Sequence, residues 1–154
     1  MPTLSNTPSS ATQNSINVDL HLYKTYVETS LTFVGITKTG ILEIRFKVND
    51  YEVDIKDQDE IQDAVKKLTN NSQDRYHIIV IPGMYGGITP EARNKEMFLD
   101  GTYSNHLSIS IIVAGLPQRI LGKFYYHFKK HKPKFPFQLF ATEAAALKWI
   151  NANK

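Results

Sequence analysis

The sequence predicts an α/β fold: a single domain whose mixed β-sheet packs against helices in the order β-β-(β)-α-β-α-β-α-β-α. Three observations lead there. Residues 27–46 hold two β-rich runs around a Lys38-Thr39-Gly40 turn. Short apolar runs at 76–81, 106–114 and 137–140 then alternate with stretches of helical period. The chain has 154 residues, 42% of them hydrophobic and 21% charged, which is enough for one core and too short for two full domains.

The elements follow in order. Residues 1–20 are rich in Ser, Thr, Asn and Pro, have almost nothing to bury, and are expected as a disordered tail before a domain at 21–154. VETSLTFVGIT (27–37) reads as one strand, with ILEIRF (41–46) as its hairpin partner. Asn49-Asp50 is a second turn, after which Tyr51, Val53 and Ile55 alternate as a short third strand. Asp57 or a neighbour caps a helix over 58–69, where Ile61, Ala64, Val65 and Leu68 stand at i, i+3, i+4 and i+7. YHIIVI (76–81) is nearly continuous in apolar character, as a strand buried on both faces demands. Pro82-Gly83 ends it, and Met84-Tyr85-Gly86-Gly87 is expected as a flexible loop.

Thr89-Pro90-Glu91 starts a helix, with Thr at the N-cap and Pro in the first helical position; Asp100-Gly101-Thr102 closes it. HLSISIIVA (106–114) is another strand. A helix over 117–130 brings Ile120, Phe124 and Phe128 to one face, and Phe137–Phe140 is the last strand. Thr142 caps a closing helix whose buried side is expected to hold Ala146, Leu147 and Ile150, with Trp149 beside them.

Composition bounds the function. The chain has no cysteine, which excludes disulfide scaffolds, thiolate zinc sites and cysteine nucleophiles. Residues 1–18 hold no Lys or Arg and no apolar run fit for a secretory signal, and no stretch approaches the roughly 20 apolar residues of a membrane helix. A cytoplasmic protein without membrane attachment is expected. The net charge of +3 is an average over two opposed blocks. Between Asp50 and Asp63 seven acids face one lysine, a local net of −6, whereas 101–142 carries six Lys or Arg and no acid.

Several phrases together resemble one family. They are the hairpin around TGILEIRF, the strand YHIIVI leading into ITPEARNKEMF, the strand SISIIVAG before LPQRILGKFYYHF, and the ending KPKFPFQLFATEAAALKWI. Over residues 27–152 the chain resembles the STAS family, named for sulfate transporters and anti-sigma factor antagonists, and within it the small bacterial SpoIIAA-like branch. The resemblance implies a non-enzymatic domain working by protein contact, in some relatives by binding a small ligand. In the antagonists a kinase-type partner phosphorylates a Ser at the start of the helix after the central strand. Here that stretch is GMYGGITPEAR, which lacks the Asp-Ser motif, and Thr89 is the hydroxyl at the comparable helix start.

Thr89 therefore has two readings, a phospho-switch on the positive end of a helix or a plain N-cap that the Thr-Pro-Glu sequence already explains. The glycine loop 83–87 is either a turn or an anion cradle, without the Lys-Ser/Thr of a P-loop. On a helix, Arg119, Lys123, Tyr126 and Lys130 line up outside the apolar stripe, either as a plain solvated face or as one that holds single-stranded nucleic acid, an acidic partner or an anion. The acidic block lacks EF-hand spacing and suits helix N-terminal charge. His127 and His131 stand four apart, but no third ligand or HExxH glutamate accompanies them, so no metal is expected. No catalytic constellation emerges, and neither an enzyme nor a cofactor is expected.

The expected function is a non-enzymatic, STAS-like module, regulatory in character, acting through a protein partner or self-association. The alternatives are nucleic-acid binding through Arg119–Lys134 and carriage of a small apolar ligand.

Overall fold

The computed structural model describes residues 18–83, 85–94, 106–113 and 136–153. A single 3-10 turn at Leu20–Leu22 leads into β1 (Tyr23–Glu28), β2 (Thr32–Thr37), β3 (Leu42–Phe46) and β4 (Asp50–Val53). Then come α1 (Ile55–Leu68), β5 (His77–Ile81), β6 (Tyr85–Ile88), α2 (Pro90–Asn94), β7 (Ser108–Ile112), β8 (Phe137–Phe140) and α3 (Glu143–Ala152). The expected helix at 117–130 and the helix end at 100–102 lie outside the described residues.

Six strands form one mixed sheet in the order β1-β2-β3-β5-β7-β8. The hairpin strands pair antiparallel, while β3-β5, β5-β7 and β7-β8 are parallel. The fold is thus mixed α/β. Alternate residues of the central strands feed opposite faces. Val34, Ile36, Leu42, Ile44, Phe46, Ile78, Val80, Ile109 and Ile111 pack with Ile61, Ala64 and Val65 of α1. Ile41, Ile79 and Ile112 form a smaller cluster with Ala146 and Ile150 of α3.

Four local findings depart from the sequence reading. Residues 27–37 are not one strand. A two-residue turn at Ser30-Leu31 splits them, and β1 begins at Tyr23. The turn contains no Gly, Pro or Asn. Hydroxyls build it instead: Thr32 N–H donates to Thr29 Oγ1 at 3.0 Å, the two hydroxyl oxygens lie 2.7 Å apart, and Thr29 N–H donates to the Thr32 carbonyl at 2.8 Å. The Thr37–Ile41 turn, by contrast, uses Gly40 at φ +86, as its sequence promised.

The helix after β4 begins earlier than expected. Asp54 rather than Asp57 is its N-cap. The two close a capping box, Asp57 N–H donating to Asp54 Oδ1 at 2.8 Å and Asp54 N–H to Asp57 Oδ2 at 3.0 Å. Ile55, expected to continue a strand, is the first helical residue and 41% exposed. At its other end, Asn70, Asn71 and Ser72 all adopt positive φ, which Asn tolerates better than most side chains.

Residues 85–88 are a strand, not a flexible loop. β6 pairs parallel with β4, Tyr51 opposite Gly86 and Glu52 opposite Gly87, in a separate two-stranded sheet. Gly83 enters it so tightly that a Cβ would stand 2.2 Å from the Val48 carbonyl oxygen. On α3, Leu147 is 38% exposed. The buried stripe is Ala146 and Ile150, i and i+4, with Trp149 against Phe140 at its margin.

The hydroxyl-built turn carries a test. Thr29→Val keeps the shape but leaves the Thr32 N–H without its acceptor, which is expected to cost about 1 kcal/mol. Urea unfolding should show a lower midpoint at unchanged m-value.

Candidate functional site

The face of the sheet that carries α3 collects the polar chemistry. β3 places Leu42, Ile44 and Phe46 toward α1, so Glu43 and Arg45 point the other way. Glu43 is 7% exposed, and a buried carboxylate needs partners. The Tyr23 hydroxyl donates to Glu43 Oε1. Arg45 Nε donates to the same oxygen at 2.8 Å, and Arg45 Nη2 reaches Glu143 Oε1 at 3.0 Å. This network joins β1, β3 and the first turn of α3. Burial, and after it Glu43, pushes the Tyr23 phenol above its ordinary value, so Tyr23 stays a donor. Burial works against charge on Arg45, but Glu43, Glu143 and Tyr23 outweigh it and hold the guanidinium above its ordinary value.

The Tyr23 ring occupies space that a glycine on the neighbouring strand, Gly35, leaves open. A Cβ on Gly35 would stand 2.7 Å from Tyr23 Cδ1. Next to it lies a second, more accessible set. Tyr26 packs at 6.1 Å from the Tyr23 ring and edge-on to Phe33 at 5.9 Å. Lys47 Nζ sits 5.7 Å from the Phe33 centroid and 2.9 Å from Glu28 Oε2. Tyr26 is 41% exposed. Among the described residues the helix on this face is α3, which meets β7 and β8 and leaves the β1–β3 side as an aromatic surface with a cation and an anion at its rim.

Farther along the same face, His77 Nδ1 and Ser108 Oγ lie 2.6 Å apart, both buried, at the first residues of neighbouring parallel strands. Sequence reasoning did not pair them, because 31 residues separate them and only the parallel register brings them together. Ser110 Oγ, two residues on, is buried without a hydrogen-bond partner among the described residues. His106 is also buried. Its Nδ1 accepts from Tyr76 N–H at 3.1 Å and its Nε2 has no partner among the described residues. Among the described residues no group of three or more His, Asp or Glu is arranged to hold a metal ion, and no helix is long and apolar enough to cross a membrane.

The structure places the sequence-derived candidates unevenly. Thr89 Oγ1 accepts from Ala92 N–H at 3.1 Å and Thr89 N–H donates to the Val53 carbonyl at 2.9 Å, so its hydroxyl holds the first turn of α2 beside the β4–β6 ladder. Arg119, Lys123, Tyr126 and Lys130 lie outside the described residues, as do His127 and His131. In the glycine loop read as a turn or an anion cradle, Gly86 and Gly87 are strand residues opposite Tyr51 and Glu52, and Gly83 precedes the strand. Within the acidic block, Asp54 and Asp57 cap α1 and Glu60 Oε1 accepts from Ser30 N–H at 2.9 Å. The backbone N–H of Ser30 holds the Glu60 carboxyl below its usual range.

A family model described as a domain of unknown function, DUF7793, matches residues 35–154. The chain belongs to that family. No curated protein and no solved structure matches the chain. The DUF7793 match begins within β2, so Glu43, Arg45 and Glu143 lie inside it, whereas Tyr23 and Tyr26 on β1 precede it.

Two expectations follow for this DUF7793 domain. Gly35→Ala should cost about 1–3 kcal/mol through overpacking against Tyr23. In a Tyr23→Ala background, which removes both side-chain atoms in the way, the larger part of that cost should disappear, while the 3.1 Å approach to the Thr25 carbonyl oxygen remains. Additive costs in urea unfolding would show that the ring and the glycine are not coupled.

The second expectation concerns pH. Burial, and then the charge of Arg75, holds His106 below its ordinary value of 6.5. The unfolded chain therefore takes up the proton first as pH drops below about 6.5. Stability from neutral His106 is full above that pH and is lost as pH falls toward the folded-state value. His106→Gln, which keeps an acceptor, should flatten the fall in urea midpoint between about pH 7 and pH 5. An unchanged slope would assign the acid sensitivity to other groups.

Proposed function

We propose that this DUF7793 chain is a STAS-like, non-enzymatic module that acts in the bacterial cytoplasm through protein contact, in a regulatory role. One observation carries the reading: the surface over β1–β3, where Tyr26, Phe33 and Lys47 lie together on one sheet with Tyr26 41% exposed. Aromatic side chains offer large contact area at low conformational cost, and a charged rim gives a partner its orientation. The hairpin-led mixed sheet is in keeping with the STAS resemblance. The polar groups beneath the surface bond to one another: Arg45 lies between two carboxylates and Glu43 between two donors. That arrangement fits a scaffold better than a proton-transfer centre.

A photo-crosslinking phenylalanine at Tyr26, in the full chain in its native cell, tests this. Protein adducts are expected, with Lys66 on α1 as the control position giving none. Absence of any protein adduct, together with a copurifying small molecule, would favour the ligand-carrier alternative. Nucleic-acid binding through 119–134, carried by its six cations without an acid, instead requires single-strand binding that weakens steeply with salt.

A further inference from the structure

We propose that β1 pairs antiparallel with β1 of a second copy of this chain, joining two six-stranded sheets across a twofold axis at Tyr26. The inference rests on the protein-contact reading above and names its surface and its partner. Three observations converge on it.

First, β1 is the terminal strand of the sheet and has β2 as its one partner strand among the described residues. Lys24, Thr25, Tyr26 and Glu28 are all exposed.

Second, the register fixes which backbone groups point outward. Thr29 N–H bonds the Thr32 carbonyl, so Thr29 and Thr32 are a hydrogen-bonded pair. Antiparallel pairs alternate, which makes Val27–Val34 and Thr25–Ile36 the next bonded pairs. The N–H and C=O groups of Tyr26 and Glu28 are left facing away from the sheet. A regular edge of this kind is a template for another strand.

Third, the edge is complementary to itself. Edge strands are usually blunted by a charge or a bulge, and β1 has both at its start: Lys24 lies where the register shifts between Tyr23 and Thr25. In an antiparallel pairing centred on Tyr26, however, each Lys24 falls opposite the other copy's Glu28, and Thr25 falls opposite Val27. Tyr26 meets Tyr26 as a bonded pair, exchanging both backbone hydrogen bonds across the axis. Both charged positions then find an opposite charge, and Glu28, more than half exposed beside Lys47, gains a second cation. A twofold contact needs this self-complementarity. The other edge strand, β8 (FQLF), offers no such pair of charges.

The test uses the purified full chain. Sedimentation equilibrium at low salt should show a reversible dimer with a dissociation constant on the order of 10–100 µM, as befits a small interface. Lys24→Glu places two acids opposite each other at both ends of the contact, and Glu28→Lys does the same with two lysines. Either substitution should weaken dimerisation by about tenfold or more. Mixed in equal amounts, the two variants should recover dimerisation as a heterodimer. At one end the acid introduced at position 24 then faces the lysine introduced at position 28, and at the other end the native Lys24 and Glu28 still face each other. Circular dichroism checks that both are folded. If Glu28→Lys unfolds beside Lys47, Lys24→Glu alone still has to weaken the dimer.

A wild-type chain that remains monomeric at about 1 mM overturns the proposal, and so does a dimer that neither substitution weakens. Failure of the mixture to recover has the same consequence. None of these outcomes touches a crosslink from Tyr26 to a different protein, so the broader contact reading stands or falls separately.

Discussion

The structure depends on a sheet whose central strands must be dry on both sides. β3, β5 and β7 bury nearly every residue: Leu42, Ile44, Ile78 and Ile109 toward α1, Glu43, Ile79, Ser110 and Ile112 toward α3. A two-sided sheet needs a layer on each face, and among the described residues the two layers are unequal. α1 contributes 14 residues and a capped, amphipathic helix. α3 contributes ten, and the buried side chains it offers are one alanine and one isoleucine. Among the described residues, so short a helix packs chiefly on β7 and β8 and meets the hairpin side at Ile41 and through Arg45. Over β1–β3 the described residues meet burial by other means.

The solution there is polar. A buried carboxylate at position 43 is tolerable because a phenol and a guanidinium both donate to it, and the guanidinium in turn reaches the first turn of α3. Such a network contributes little net stability compared with an apolar replacement of the same volume, yet losing a single member leaves a charge uncompensated. It therefore fixes geometry more than it adds stability. It sets the position of β1 relative to β3 across the intervening strand, and Gly35 on that strand leaves room for the Tyr23 ring to pass. The accessible aromatic surface rests on this frame, since Tyr26 packs on Tyr23.

Most of the apolar framework was legible because it rests on periodicity. The stripe of α1, the continuous run of β5 and the Thr142 cap all appear where spacing alone places them. What escaped reading has a shared cause: backbone hydrogen bonds satisfied by unexpected groups. The β1–β2 turn is made by threonine hydroxyls, from residues that otherwise signal strand. Asp54 and Asp57 are both plausible caps by type, and only the reciprocal bonds decide between them. Gly86 and Gly87 carry turn composition, but a parallel partner 35 residues upstream recruits them into a strand. The polar network was not legible, because ILEIRF reads only as a strand and nothing in it says that Tyr23 and Glu143 will converge on Glu43 and Arg45. Tertiary register supplies that information, as it does for His77 and Ser108.

The same distinction bears on the charge blocks. The formal net of −6 across 50–63 suggests a field available to a partner, but part of it is spent locally. Asp54 and Asp57 each accept a backbone N–H at the start of α1, and Glu60 accepts one from the β1–β2 turn. Carboxylates held this way shape their own neighbourhood and are poor candidates for long-range recognition, which salt also screens within about 10 Å. On β1 the balance differs. There the charges are few, but the backbone groups between them face outward and their spacing is fixed by the strand. Ordered geometry with unspent bonding capacity marks a contact surface more reliably than a local excess of charge.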